Sequence, residues 1–395
     1  MKNSVNIGLF GFGVVGEGLF QLIRNNKITK TAIRKVCIKQ KDKKRSIDSS
    51  LLTVNAENVI RDNDIGLIVE LINDEQEAYH IVKNALLSGK NVVSGNKKML
   101  ANHLDEFIAL QDTYDSALLY DASSCGSIPV IRNLEEYYDN DLLRSITGIL
   151  NGSSNYILSR IFTYGDDYNS ALNRAQELGY AEADPASDVD GLDALYKLVL
   201  ITCHGFGTYV SPEQVFTYGI SRLSSSDIKY AKEKGLKIKL IARVHKTSEH
   251  AFIMFVMPKL VHPEEYIFNV EEENNGVIIE GECYDKQFMF GKGAGAFPTA
   301  SSVLSDITAL SYNYKYEYKK RNYFHKVDYI PDSELEIYLR YNRVAEFNAF
   351  DFEHISESYS SEGFNYVIGK IKLQTLLELR GSLKQMDVFI AYTGN

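Results

Sequence analysis

Residues 5–16 read Val5-Asn6-Ile7-Gly8-Leu9-Phe10-Gly11-Phe12-Gly13-Val14-Val15-Gly16. A short apolar, strand-like run leads straight into Gly11-x-Gly13-x-x-Gly16. Glu17 to Arg24 then has helical character, with apolar Leu19, Phe20, Leu22 and Ile23. A GxGxxG pattern alone says little. Between a strand and a helix it marks a dinucleotide site. Gly11 allows the tight turn, Gly13 lets backbone approach a pyrophosphate, and Gly16 lets helix and strand pack closely. The free amides of the helix's first turn then face the phosphates. The expected cofactor contacts here are Gly11, Phe12, Gly13, Val14, Val15 and Gly16; a glycine turn without a ligand is the bland alternative.

Working outward, further strands are predicted at Ile33 to Ile38, Gly66 to Leu71, Asn91 to Ser94 and Leu118 to Tyr120. Helices are predicted at Glu75 to Leu87 and Leu100 to Tyr114. Strands alternating with helices mean βαβ units and a parallel sheet. The pattern changes after about Pro129. A strand at Ser145 to Leu150 and helices at Asn155 to Phe162 and Tyr168 to Glu177 precede a strand-rich stretch from Leu236 to about Met289. Gly291-Lys292-Gly293-Ala294-Gly295 makes a second glycine turn before a helix at Phe297 to Leu310. Tyrosines and lysines crowd Tyr312 to Tyr323, which reads as a linker. The tail offers strands at Leu335 to Tyr341, Tyr366 to Lys372 and Met386 to Tyr392 around a helix at Leu373 to Leu383.

The fold class expected is therefore α/β. An N-terminal Rossmann-type dinucleotide-binding domain spans 1–128 and is completed by about 299–320. An α+β substrate and dimerisation domain spans 129–298, and a small C-terminal α/β appendage spans 330–395. The 395-residue length suits more than one core.

The net charge of -9 argues against broad nucleic-acid binding. Cys37, Cys125, Cys203 and Cys283 lie far apart without zinc-ligand spacing, which fits a reduced cytoplasmic setting. No signal peptide is evident, and no apolar window reaches the ~20 residues of a membrane span. For the dinucleotide itself, the second strand's end reads Cys37-Ile38-Lys39-Gln40-Lys41, with Asp42 coming late. An acid there would take the ribose 2′-hydroxyl of NAD. Lys39 and Lys41 favour a 2′-phosphate instead, hence NADP, with NAD still open; a solvated loop is the alternative for both lysines.

Gly179 to Lys197 reads GYAEADPASDVDGLDALYK and holds Glu182, Asp184, Asp188, Asp190 and Asp193. Leu192, Leu195, Tyr196, Val199 and Leu200 mark an apolar helical stripe. Asp193 and Lys197 stand four apart and are neighbours on that helix. Such a pair can anchor a substrate hydroxyl, with Lys197 giving or taking a proton; an exposed salt bridge is the alternative. Glu182, Asp184 and Asp188 are candidates to hold a small ammonium. Asp188 is also a candidate helix cap, and clustered carboxylates also suit a hard cation.

With these residues in view, the chain resembles the homoserine dehydrogenase family over roughly Val5 to Leu310. The resemblance rests on GLFGFGVVG (8–16), VVSGNKKMLA (92–101), DASSCGSIPVI (121–131), GILNGSSNYIL (148–158), AQELGYAEADPASDVDGLDALYK (175–197) and GKGAGAFPTASSVLSDI (291–307). It implies NAD(P)-dependent interconversion of L-homoserine and L-aspartate 4-semialdehyde, on the route to threonine and methionine. Catalytic roles fall on Lys197, Asp193 and Lys97. Substrate contacts fall on Gly152, Ser153, Tyr180, Glu182, Asp188 and Asp193, and further cofactor contacts on Ser94, Lys97 and Gly295. It also implies a homodimer and a monovalent cation at Asp121, Ser124, Gly126 and Ile128. The sequence departs from the family at that cation site, where Asp121, Ser123 and Ser124 replace other residues, and again at Asn73-Asp74, where a Gly-Gly is usual. The tail could be a divergent ACT-like module or serve packing. No kinase module precedes the first strand, so a monofunctional protein is expected. Competing readings are another NAD(P)-dependent oxidoreductase of a small amino-acid aldehyde, and a nucleotide-sensing protein on the same fold.

Overall fold

The structure, a computed structural model, describes residues 5–25, 31–40 and 43–394. Two compact units emerge. One takes Asp139 and the chain before it together with Lys292–Asn322. The other takes Asn140–Gly291 together with the chain from Tyr323 onward.

The first unit is built on six strands: β1 (Val5–Phe10), β2 (Thr31–Cys37), β3 (Leu52–Thr53), β4 (Leu67–Glu70), β5 (Asn91–Ser94) and β6 (Leu118–Leu119). Their order is β3-β2-β1-β4-β5-β6, and the pairings are parallel. This is the strand order of a doubly wound dinucleotide-binding sheet. Ile7 and Leu9 in β1 and all four residues of β4 are buried, as continuous apolar runs should be when helices cover both faces. The helix Glu75–Leu87 starts and stops where the sequence predicts. Its neighbour runs over Lys97–Tyr114, beginning earlier than the apolar stripe suggests. Asn96 caps it, accepting from Met99 N at 3.0 Å, a contact contributing about 1 kcal/mol. Lys97 is thereby the first helical residue.

Tyr312 to Tyr323 is not a linker. Tyr316 and Tyr318 are buried in this unit. The hydroxyl of Tyr318 lies 3.2 Å from that of Tyr120, and Glu135 accepts from the amides of Glu317 (3.0 Å) and Tyr318 (3.2 Å). Aromatic residues clustered with lysines look solvated in sequence; here the rings of Tyr316 and Tyr318 are core, while Lys315 and Lys319 pair with Asp115 and Asp139.

The second unit carries β7 (Leu143–Ile149), β8 (Phe216–Thr217), β9 (Lys237–Ser248), β10 (Ala251–Val261), β11 (Asn274–Gly281), β12 (Asp285–Lys292), β13 (Asp328–Tyr329), β14 (Glu334–Tyr341), β15 (His354–Ser361), β16 (Phe364–Lys372) and β17 (Val388–Tyr392). The order is β12-β11-β7-β9-β10-β17-β14-β16-β15, with β8 and β13 also paired to β10. The middle of β10 is wholly buried, and the helix Leu192–Phe206 packs on β9 and β10. The tail's strands continue this same sheet, since β17 pairs with β10 through Lys259 and Tyr392. β15 was not foreseen. Its residues are almost all exposed and mostly polar, so it has no apolar alternation to read.

Candidate active site

The glycine turn closes β1 onto the helix Val14–Asn25. Gly11 sits at φ +91°, and a Cβ there would lie 2.5 Å from the Leu71 carbonyl oxygen. A Cβ at Gly16 would lie 2.4 Å from the carbonyl oxygen of Gly11. At Gly13 a Cβ would meet nothing within 4 Å. The loop is thus crowded on its inner side and open where a pyrophosphate approaches, as a dinucleotide cradle requires. Val14 is 71% exposed in the helix's first turn, while Phe12 packs edge-on to Phe20 at 5.8 Å. Val15 opens the same helix beside them.

Lys39 follows β2 and is exposed. Its ammonium lies 2.6 Å from Glu77 and 3.5 Å from Asp74, and the Glu77 hydrogen bond raises its pKa. Asp74 also caps the helix Glu75–Leu87, accepting from Glu77 N at 2.9 Å, which explains an acid where a glycine is usual. Lys41 lies outside the described residues.

Ser94, at the end of β5, donates to the buried Glu70 carboxylate at 2.5 Å. Burial pushes Glu70 up to about 7 from 4.5. The folded state therefore binds a proton that the unfolded chain has lost between those pH values. Glu70's contribution to stability is full below about 4.5 and is lost as pH rises through about 7. Replacing it by Glu70→Gln should remove that slope, worth about 3 kcal/mol at 1.36 kcal/mol per pH unit. Urea titrations of both proteins at pH 5 and pH 7.5 read it; parallel curves would show that Glu70 does not titrate in this range. Lys97 opens its helix half-buried, and Gly295 stands immediately before the helix Ala296–Leu310.

In the second unit, the acidic segment and β7 meet at one buried cluster. Asp193 and Lys197, only 3% and 7% exposed, lie 2.7 Å apart (Oδ2 to Nζ). An exposed salt bridge is thus ruled out. Lys197 Nζ also donates to the Leu150 carbonyl at 2.6 Å. Asn151 Nδ2 donates to Asp193 Oδ2 at 2.9 Å and to Asp188 Oδ1 at 2.7 Å. Asp188 lies in the short helix Ala186–Val189 and is not the cap of the helix Leu192–Phe206, whose N-cap position is Gly191. Gly152 and Ser153 begin the helix Gly152–Ser159 capped by Asn151, and the Ser153 hydroxyl donates to the Tyr180 carbonyl. Tyr180 is part-exposed, its ring 4.9 Å from that of Tyr156. Glu182 is exposed, and its backbone carbonyl accepts from Gln176 Nε2 at 3.0 Å; the structure does not join its carboxylate to the cluster.

Residues 11–121 match the family model "Homoserine dehydrogenase, NAD binding domain", and residues 129–308 match "Homoserine dehydrogenase". Homoserine dehydrogenase of Synechocystis sp. is 35% identical over 314 residues, covering 77% of this chain and 72% of that protein. The Bacillus subtilis enzyme is 34% identical over 319 residues, covering 78% and 73%. The chain belongs to the homoserine dehydrogenase family. A crystal structure of a homoserine dehydrogenase from Thiobacillus denitrificans superposes with a TM-score of 0.86, at 27% identity, covering 99% of this chain and 98% of that one. The chain is accordingly an NAD(P)-dependent oxidoreductase acting on a CH–OH group.

At the expected cation positions Asp121, Ser124, Gly126 and Ile128, several oxygens already accept from protein donors. The Asp121 carbonyl already accepts from Ser124 N (3.1 Å) and Ser124 Oγ (2.8 Å), and the Ile128 carbonyl accepts from Val130 N (2.9 Å). The Asp121 carboxylate accepts from the amides of Ile131 (2.9 Å) and Arg132 (3.2 Å). Gly126 sits against the Gly293 backbone. Asp306 beside it is pushed up to about 8 by burial and by the Asp121 charge. Among the described residues no cluster of three His, Cys, Asp or Glu could hold a metal.

Proposed function

We propose that this homoserine dehydrogenase interconverts L-homoserine and L-aspartate 4-semialdehyde with Lys197 as the proton carrier. The observation that carries this reading is the Lys197 ammonium, buried and fixed between the Leu150 carbonyl and Asp193. An ammonium has three N–H donors. Two are taken by the protein, and the third remains for a substrate oxygen. Lys197 delivers its proton to the aldehyde oxygen as that carbon is reduced, and takes one from the hydroxyl in reverse. Asp193 holds the ammonium in place and contacts the hydroxyl. Asp188, oriented by Asn151, and Glu182 receive the substrate ammonium. Gly152, Ser153 and Tyr180 line the amino-acid end.

The dinucleotide, held by Gly11 to Gly16 with Ser94, Lys97 and Gly295, supplies or accepts the hydride when bound. We take NADP as the preferred form, through Lys39. The same geometry gives NAD its argument, because a 2′-phosphate must draw Lys39 from Glu77 and Asp74. Homoserine-dependent reduction of each dinucleotide tests both points. Lys39→Ala should raise the KM for NADP⁺ about tenfold, the equivalent of one ~1.4 kcal/mol ionic contact, and leave that for NAD⁺ nearly unchanged. Equal effects on both would remove Lys39 from the discrimination, and no homoserine oxidation with either would end the substrate assignment.

A cytoplasmic homodimer completes the proposal. An exposed stack of Tyr266 on Phe288, 5.7 Å apart at 11°, lies by the sheet edge and supports self-association; sedimentation velocity would read it. Among the described residues no helix is long and apolar enough to cross a membrane.

A further inference from the structure

The Leu150 carbonyl that holds Lys197 has a second donor. Asn275 Nδ2 reaches it at 3.0 Å, from a side chain with no exposure to solvent. A carbonyl oxygen with two donors is fixed in direction, since both its lone pairs are engaged. We infer that Asn275 is a positioning residue for proton transfer: it aims the Leu150 carbonyl and thereby sets where the Lys197 ammonium sits. The inference rests on Lys197 being the proton carrier.

Asn275 is itself held firmly. Gly276, next to it in β11, pairs with Ile149, next to Leu150 in β7. On the other side Asn155 Nδ2 donates to the carbonyls of Val270 (3.1 Å), Glu272 (2.9 Å) and Asn274 (3.1 Å). Buried Lys239 closes this brace, donating to Val270 O at 2.6 Å and Asn155 Oδ1 at 3.1 Å. The segment leading into Asn275 is therefore tied at three carbonyls. Supporting groups of this kind typically control rate by about 10- to 100-fold, because a small misplacement of the reacting group is costly.

Asn275→Leu keeps the shape and removes the donor; Asn275→Asp keeps the shape and supplies only acceptors when ionised. Either is expected to lower kcat about 10- to 100-fold while the KM for homoserine stays within about threefold. The solvent deuterium isotope effect on kcat should rise, because proton transfer becomes slower than the steps around it. If both folded variants turn over at the wild-type rate, the inference fails. It also fails if kcat drops only in proportion to lost folded protein, with the isotope effect unchanged. Lys197→Ala is run alongside. Should that variant stay active, the proton-carrier reading falls whatever Asn275 does. If it is inactive and the Asn275 variants are normal, only the positioning role is lost.

Discussion

Lys197→Ala is expected to lower kcat by about 10²- to 10⁴-fold, the range of a lost general acid–base group. The side chain is buried, held between the Asp193 carboxylate and the Leu150 carbonyl. Deleting one partner of a buried ion pair also costs stability, about 3–5 kcal/mol when the other charge is left bare. Asp193 is not left bare, because Asn151 Nδ2 still donates to Oδ2, so the cost should lie below that range and the variant should fold. Circular dichroism and a thermal melt check this before turnover is measured. Lys197→Arg separates charge from proton transfer. A guanidinium keeps the positive charge and does not give up a proton near neutral pH, so this variant should be nearly as slow as alanine. If Lys197→Arg retained most of the activity, electrostatic stabilisation would be the lysine's role. If Lys197→Ala retained it, the lysine would have no role in the chemistry.

Much of this site is legible in the sequence, and the rest is hidden for a definite reason. The glycine turn reads directly because strand, turn and helix are contiguous. Asp193 and Lys197 read directly because one helical turn sets their spacing. Asn151 stands within the GILNGSSNYIL stretch, yet nothing local says that its amide spans 37 residues to Asp188 and 42 to Asp193. Asn275 lies 125 residues from the carbonyl it fixes. The Asn275 contact follows from the pairing of β7 with β11, those of Asn151 from its helix meeting the segment around Asp188, and neither leaves a periodic trace. Lys39 shows the converse. Its charge is visible, but the carboxylates that engage it come from the start of the helix Glu75–Leu87, and they reopen the choice between NAD and NADP. The same limit applies to Tyr316 and Tyr318, whose burial is decided by Glu135 and Tyr120.

The second large effect falls on the cofactor loop. Gly16→Ala adds one methyl group, and its carbon would lie 2.4 Å from the Gly11 carbonyl oxygen. No real Cβ contact is that short, and the obstacle is backbone, which cannot rotate away. Either the first turn of Val14–Asn25 moves off β1 or Gly11 swings, and Gly11 is pinned. Its amide donates to Cys37 O at 3.1 Å, and its own inner face meets the Leu71 carbonyl. The helix must therefore shift, and with it the amides that face the phosphates. Overpacking of this kind costs about 1–3 kcal/mol of stability, which the sheet can absorb. The functional loss is larger, since a displacement of about 1 Å in a positioning element costs on the order of 10²-fold. The KM for the dinucleotide should rise by that factor, while the KM for homoserine changes little. Gly13→Ala is the control. It adds the same methyl group where nothing stands within 4 Å, so its fold should be intact, and any loss of dinucleotide affinity would come from the ligand's side of the loop. Titrating dinucleotide fluorescence against both variants separates the cases. Wild-type affinity in Gly16→Ala would mean that the loop does not hold the pyrophosphate, and the assignment of Gly11 to Gly16 would have to be abandoned.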